Sequence, residues 1–193
     1  MSNVQYYCAA SLDGFIAEAD DTLEWLTGYE GSYAGGEGDA LGAGGSYERF
    51  YAEVGALVSG SVSYEFVLGN LGSGEDWPYP GKPWWVLSSR ELPVPEGENV
   101  DVRVTGAGIP ELHAEMLAAA GDGNIWIVGG GNVASQFAAA GLIDEVLVTV
   151  VPVVLGSGKP LFDERLPSGP LQLTGTTPFG SGMVELRYEV PGP

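Results

Sequence analysis

The stretch Ile125-Trp126-Ile127-Val128-Gly129-Gly130-Gly131-Asn132-Val133-Ala134 runs an apolar strand into three glycines and then into a helix. Such a turn leaves the first helical N–H groups unpaired and lets a ligand approach the backbone closely, a combination suited to a pyrophosphate. A tight strand-to-helix turn without a ligand uses the same residues. Gly129, Gly131 and Ala134 also satisfy G-x-G-x-x-[GA]. However, a Rossmann unit places this turn early and ends its next strand in a ribose-binding acid. Here the turn comes late, and the next strand ends Val150-Val151-Pro152.

Outward from this turn, Asn132 to Ala140 reads as a helix closed by Gly141, and Glu145 to Val151 as a strand rich in β-branched residues. Upstream, Pro110 to Ala120 is a helix with proline in its first turn and Ile109, Leu112, Met116 and Ala119 or Ala120 along one stripe. Strands are predicted at Val4 to Ala10, Ala56 to Ser59, Trp84 to Ser88, Val100 to Thr105 and Asn124 to Val128, and the first runs through an Asp-Gly turn into a functional loop where Phe15 to Ala17 resumes the apolar pattern. Short helices are predicted at Ser46 to Glu53, with Ser46 as N-cap, and from Gly60 through Leu68. Leu171 to Thr177 and Met183 to Val190 form a strand pair. Strand–helix alternation through residue 151, followed by strands alone, predicts an α/β fold. Its sheet would be mostly parallel, with antiparallel strands at the C-terminal edge. Ligands of such sheets bind beyond the carboxyl ends of the strands.

The 193 residues suit one domain, and five Trp, nine Tyr and six Phe supply its core. Residues 28–45 hold eight glycines among eighteen, an excursion that reads as a surface loop or an active-site lid. A net charge of −19 repels polyanions, which argues against nucleic acid or an anionic membrane as partner. The single cysteine, Cys8, permits no intramolecular disulfide, and Met1 to Ala10 lacks the features of a secretion signal. A cytoplasmic location is expected. Trp84, Trp85, Phe179, Tyr188 and the Val146 to Leu155 stretch offer more aromatic and β-branched surface than one core readily hides, which predicts a homodimer through the C-terminal strands.

Val86-Leu87-Ser88-Ser89-Arg90 sets two hydroxyls and one of five arginines at a strand's carboxyl end. Arginine flanked by hydroxyls suits a phosphate monoester, although a surface salt bridge is equally compatible. Glu18, Asp20, Asp21 and Glu24 read as a solvated acidic loop or, if one is partly buried, as a source of a proton donor. Asp13 fits a local Asp-Gly turn or a ligand contact. His113, the one histidine, reads as a surface helix residue, so no metal site is expected. Cys8 reads as a small core residue.

Four ordered segments resemble the dihydrofolate reductase-like superfamily, and within it the C-terminal reductase domain of the bifunctional riboflavin-biosynthesis deaminase/reductase. They are Ser11-Leu12-Asp13-Gly14-Phe15-Ile16-Ala17, Leu87-Ser88-Ser89-Arg90, Gly129-Gly130-Gly131-Asn132-Val133, and Gly141-Leu142-Ile143-Asp144-Glu145 leading to Pro152-Val153-Val154-Leu155-Gly156. The resemblance implies a three-layer fold that binds NADPH along one rim of its sheet. It also implies hydride transfer to a C=N or C=O bond of a pterin- or pyrimidine-like heterocycle or a carbonyl substrate. A binding protein holding a nucleotide or flavin without turnover is the alternative. Ala9, Ile16 and Ala17 would line the nicotinamide, and Gly129, Gly130, Gly131, Asn132 and Val133 would hold the pyrophosphate. Ser88, Ser89 and Arg90 would hold the adenosine 2′-phosphate, with Ser61 and Ser63 on the same cofactor. Family members usually carry a basic residue where Ser61 and Val62 stand, and the riboflavin reductases a glutamate where Val128 stands. Gly129-Gly130 matches a pair joined by a cis peptide. Thr149 matches a threonine facing the substrate, and Asp21 and Glu24 are the nearest acids to the family's helical carboxylate.

Overall fold

The computed structural model describes residues 2–29, 46–71, 77–179 and 182–192. Most of the glycine-rich stretch, residues 30–45, lies outside the described residues, as do Gly180 and Ser181 of the C-terminal turn. In chain order the elements are β1 (Val4–Ser11), β2 (Phe15–Ala17), α1 (Glu24–Thr27), α2 (Ser46–Glu53), β3 (Val54–Gly60), α3 (Ser61–Asn70), β4 (Trp84–Leu87) and β5 (Val102–Thr105). They continue with α4 (Ile109–Ala120), β6 (Asn124–Gly129), α5 (Gly131–Ala139), β7 (Glu145–Val151), β8 (Lys159–Pro160), β9 (Gln172–Pro178) and β10 (Val184–Glu189). Each expected element is present, with ends shifted by a residue or two; α1 and the two-residue β8 are additions, and the apolar Phe15 to Ala17 forms a strand, β2, that pairs with β8.

The main sheet runs β5-β4-β3-β6-β1-β7-β10-β9. Its first six strands are parallel, and β10 and β9 follow antiparallel. Strands covered on both faces must be apolar on both, and the alternation of side chains sorts them into two layers. Tyr6, Ala56, Val58, Trp85, Ile125 and Ile127 point to one face, where Ile109, Leu112 and Met116 of α4 and Val133 and Phe137 of α5 cover them. The intervening Tyr7, Leu57, Trp84 and Trp126 point to the other, against Phe50 of α2 and Tyr64 of α3. The helical stripe read from Ile109, Leu112 and Met116 is thus the buried face of α4. On the second face the rings interlock edge to face, with Phe50 and Trp126 centroids 5.3 Å apart and Tyr64 and Trp84 5.4 Å apart.

Three expectations need correction. Ser46 opens α2, but its hydroxyl donates to the Glu185 carboxylate, because the start of this helix packs over β10. The Gly129–Gly130 peptide is trans, as are the others among the described residues. Trans is the lower-energy form by ~3–4 kcal/mol for a non-proline bond, and Gly130 turns the chain through φ +94° and ψ +108° instead. Finally, most of the apolar residues offered as a dimer surface lie inside one chain, although Val154 is exposed and Tyr188 half-buried. Trp84, Trp85, Phe179, Val146, Leu147 and Val151 are all buried, because a sheet covered on both faces consumes the apolar run of β7 and the tryptophan pair of β4.

Candidate functional site

Because the first six strands are parallel, their carboxyl ends share one rim. Along it lie Ser88 to Arg90 after β4, Ser61 after β3, Gly130 after β6, Ala9 near the end of β1 and Thr149 near the end of β7. From β4 to β7 is four strand steps, or about 19 Å at ~4.8 Å per step. Antiparallel β10 begins on this same rim and brings Glu185 beside Thr149.

At one end, Ser88, Ser89, Arg90, Leu92, Thr105 and Gly106 are among the residues lining an open cleft of about 470 Å³. The Ser88 hydroxyl accepts from the Arg90 amide at 2.9 Å and donates to its carbonyl at 3.0 Å, which closes a tight turn. The Arg90 guanidinium donates to Glu65 at 2.9 Å and to the Ser61 hydroxyl at 3.3 Å. Helix α3 anchors this loop as well, through the Tyr64 hydroxyl, which donates to the Pro93 carbonyl at 2.7 Å. Both readings of Arg90 therefore have a foothold: it stands beside two serines in a cleft, and it is held in a solvent-exposed salt bridge.

In the middle, the N-termini of α3 and α5 meet. Neither helix has a side-chain cap, so their first N–H groups face the rim with no capping side chain to donate to. The glycines serve different ends. A Cβ on Gly130 would meet nothing nearer than 3.7 Å, so this residue is required for its positive φ. One on Gly129 would fall 2.9 Å from the Ser63 hydroxyl, and one on Gly131 only 2.3 Å from the Pro160 carbonyl and 3.2 Å from Asp163. The close approach at Gly131 is thus made by the protein's own chain. Val133 packs in the core and offers the rim only its backbone, while exposed Asn132 accepts from Gln136. Val128, counted with the cofactor-binding residues, packs against the aromatic layer that includes α2, an apolar contact at the position where the riboflavin reductases carry a glutamate.

Beyond the glycines, Ala9 is half-buried against Trp25, Val151, Phe179 and Met183. Ile16 and Ala17 form β2, half-buried on the β2–β8 ribbon. Asp13 binds this ribbon's entry to the loop after β7: its carboxylate accepts from the Ser11 hydroxyl at 2.7 Å and from the amides of Leu155 and Gly156 at 3.1 and 2.7 Å. The Ser11 hydroxyl, helped by those amides, holds its carboxyl down at about 2. Asp13 is therefore a clasp between two rim loops, a longer-range role than its own turn. Asp21 pairs with Lys159 at 3.4 Å and is half-buried, and Glu24 is exposed on one-turn α1. Of the two, only Asp21 has the partly buried setting that the proton-donor expectation called for, and there its carboxylate is paired with the Lys159 ammonium. Asp20 is bound by the Thr22 hydroxyl, which lowers its carboxyl. Burial pushes the Cys8 thiol up to about 12, so it is no thiolate at neutral pH. No group of metal-ligating side chains gathers among the described residues, and no helix among them is long and apolar enough to cross a membrane.

Thr149 is 1% exposed and its hydroxyl has no hydrogen-bond partner among the described residues. Its neighbour Glu185, absent from the sequence reading, is 5% exposed and accepts from the Tyr7 and Ser46 hydroxyls. The clue in the sequence was slight: Glu185 is a single acid in an alternating strand, where a polar residue ordinarily marks the solvent face.

The profile of the RibD C-terminal domain matches residues 80–185. The chain belongs to that family. The uncharacterized protein YwjB of Bacillus subtilis is 36% identical over 183 residues, covering 94% of each chain. The crystal structure of a putative riboflavin biosynthesis protein from Shewanella sp. PV-4 superposes with a TM-score of 0.77 at 28% identity over 98% of each chain. Dihydrofolate reductase from Enterococcus faecalis, solved with NADP(H), superposes with a TM-score of 0.55 at 19% identity, covering 97% of this chain and 94% of that one. The RibD C-terminal domain fold seen here is therefore dihydrofolate reductase-like, as the four sequence segments implied.

Proposed function

We propose that the chain is an NADPH-dependent reductase that transfers hydride to a C=N or C=O bond of a small heterocyclic, pterin- or pyrimidine-like, or carbonyl substrate. The observation that carries this reading is the order of groups on the rim. A hydroxyl-and-arginine cleft, two uncapped helix N-termini and the Ala9–Thr149 pair follow one another across adjacent strands. These fit the three parts of a dinucleotide: Ser88, Ser89 and Arg90 the 2′-phosphate, Gly129 to Asn132 with Ser61 and Ser63 the pyrophosphate, and Ala9, Ile16 and Ala17 the nicotinamide.

When bound, the nicotinamide supplies the hydride. The chain's part is to hold that ring against the β1 end, orient the substrate beside Thr149 and exclude water through the Trp25, Phe179 and Met183 packing. The proton comes from solvent or from an acid on the rim. A second reading, a nucleotide- or flavin-binding protein without turnover, is favoured by the Glu65 carboxylate on Arg90, by the Lys159 ammonium on Asp21 and by the exposure of Glu24.

Calorimetric titration with NADPH, NADH and FMN, followed by measuring loss of reduced-nicotinamide absorbance with pterin, pyrimidine and carbonyl substrates, separates the two. Turnover with NADPH supports the reductase. Tight binding with no oxidation across the panel supports the second reading.

A further inference from the structure

The polar group at the far end of the rim has no task in fold or cofactor binding that accounts for it. Ala9, Thr149 and Glu185 are directly opposite one another on β1, β7 and β10, so their side chains leave the sheet on one face. The Tyr7 and Ser46 hydroxyls both land on Oε2 of Glu185, from β1 and from α2. Among the described residues nothing bonds its Oε1. Beside it the Thr149 hydroxyl and, packed one step along the same face, the Trp25 indole N–H are buried with no partner among the described residues. A buried hydroxyl without a partner is unfavourable unless something else supplies one. A carboxylate fixed on one oxygen, with a free hydroxyl next to it, is complementary to a planar edge carrying adjacent N–H donors.

We infer that Glu185 and Thr149 form the substrate-anchoring pair, receiving the donor-rich edge of a ring such as an amidine, aminopyrimidine or lactam, with Tyr7 and Ser46 as positioning residues. This rests on the proposed reductase reading for its reaction, but the binding site stands or falls separately. Anionic groups of a substrate point away from this corner, since Glu185 repels them.

The test uses benzamidine, benzamide and benzoate, three probes of one shape whose edges are cationic with N–H donors, neutral, and anionic, titrated by calorimetry with and without NADPH. Wild type is expected to prefer benzamidine over benzoate, and Glu185→Gln to lose about tenfold or more of the benzamidine affinity while benzamide binding changes little. The comparison removes the diffuse attraction of a −19 chain for any cation, which the variant retains almost unchanged. Thr149→Val, which keeps shape and burial, is expected to weaken benzamidine and benzamide alike by a few-fold. It also keeps the test open if Glu185→Gln fails to fold. A merely structural Glu185 would lower the melting temperature yet leave the benzamidine-to-benzamide ratio unaltered. That result, or no benzamidine binding by folded wild type, overturns the inference. Loss of NADPH binding with the probe pattern intact would overturn the reductase reading and leave the anchoring pair in place.

Discussion

Arg90 has one anionic partner and, in the proposed cofactor complex, would take a second. Glu65 holds its Nη2 at 2.9 Å, and a 2′-phosphate in the same cleft would compete with that carboxylate for the positive charge. The ion pair is exposed on both sides, so it contributes only ~0–1 kcal/mol and a phosphate can displace it. Arg90→Ala is therefore expected to lower NADPH affinity roughly ten- to a hundredfold, from a charge-assisted contact of ~1.5–3 kcal/mol, and to leave NADH nearly unchanged. Glu65→Gln should do the reverse, tightening NADPH relative to NADH. Parallel titrations of the two cofactors read both effects, and equal changes for both would show that Arg90 does not sense the 2′-phosphate. The arginine was visible in the sequence because basic residues are scarce there. Its acidic neighbour was not, since Glu65 lies 25 residues upstream and only the parallel pairing of β3 with β4 brings α3 to the loop. Glu185 escaped notice for a related reason: the alternation of β10 marks it as a solvent-facing position, and that reading fails because α2 folds back over the strand.

Among the elements, the turn from β6 into α5 was the most legible, since an apolar run, three glycines and a helical stripe occur in sequence with no partner needed to interpret them. What each glycine does was not legible, because it depends on atoms from elsewhere. The Pro160 carbonyl lies where a Gly131 side chain would go, whereas Gly130 has room but a left-handed backbone. Gly130→Ala is expected to destabilise by ~1–3 kcal/mol through backbone strain, and Gly131→Ala by more, because a backbone carbonyl must move. Urea unfolding midpoints would order them, and a Gly131→Ala protein as stable as wild type would refute the packing described. The Asp13 clasp gives a second test at this scale. Its folded carboxyl titrates at about 2, below the ordinary value of ~3.9. The stabilisation is thus fully present above the ordinary value and is lost as pH falls through the folded one. Asp13→Asn should melt lower than wild type at pH 6, with the gap narrowing steadily between about pH 4 and pH 2. A gap that stays constant over that window would mean that the charge is not what holds the loops.

For the molecule as a whole, a homodimer now has to be built differently. With the tryptophans and the β7 run inside, what the C-terminal strands still offer is β9, an edge strand largely exposed along its length, with Leu173 56% exposed. An open edge can accept a second copy's strand. Self-association is expected through β9, and Leu173→Lys should abolish it, as light scattering at micromolar concentration in physiological salt would report. A wild-type species of about 20 kDa under those conditions would remove the dimer. The position of β1 also bears on how the chain is made. It is made before every other strand of the sheet, yet it lies between β6 and β7, whose residues begin only at 124 and 145. At ~5–20 residues per second, the uncharged segment Val4 to Ala10 waits roughly 6 to 23 seconds for its first neighbour. During that interval it is a bare, aggregation-prone strand whose safe passage depends on chaperone cover or slow initiation, so yield in a cell should be governed more by nascent-chain handling than by the stability of the finished fold.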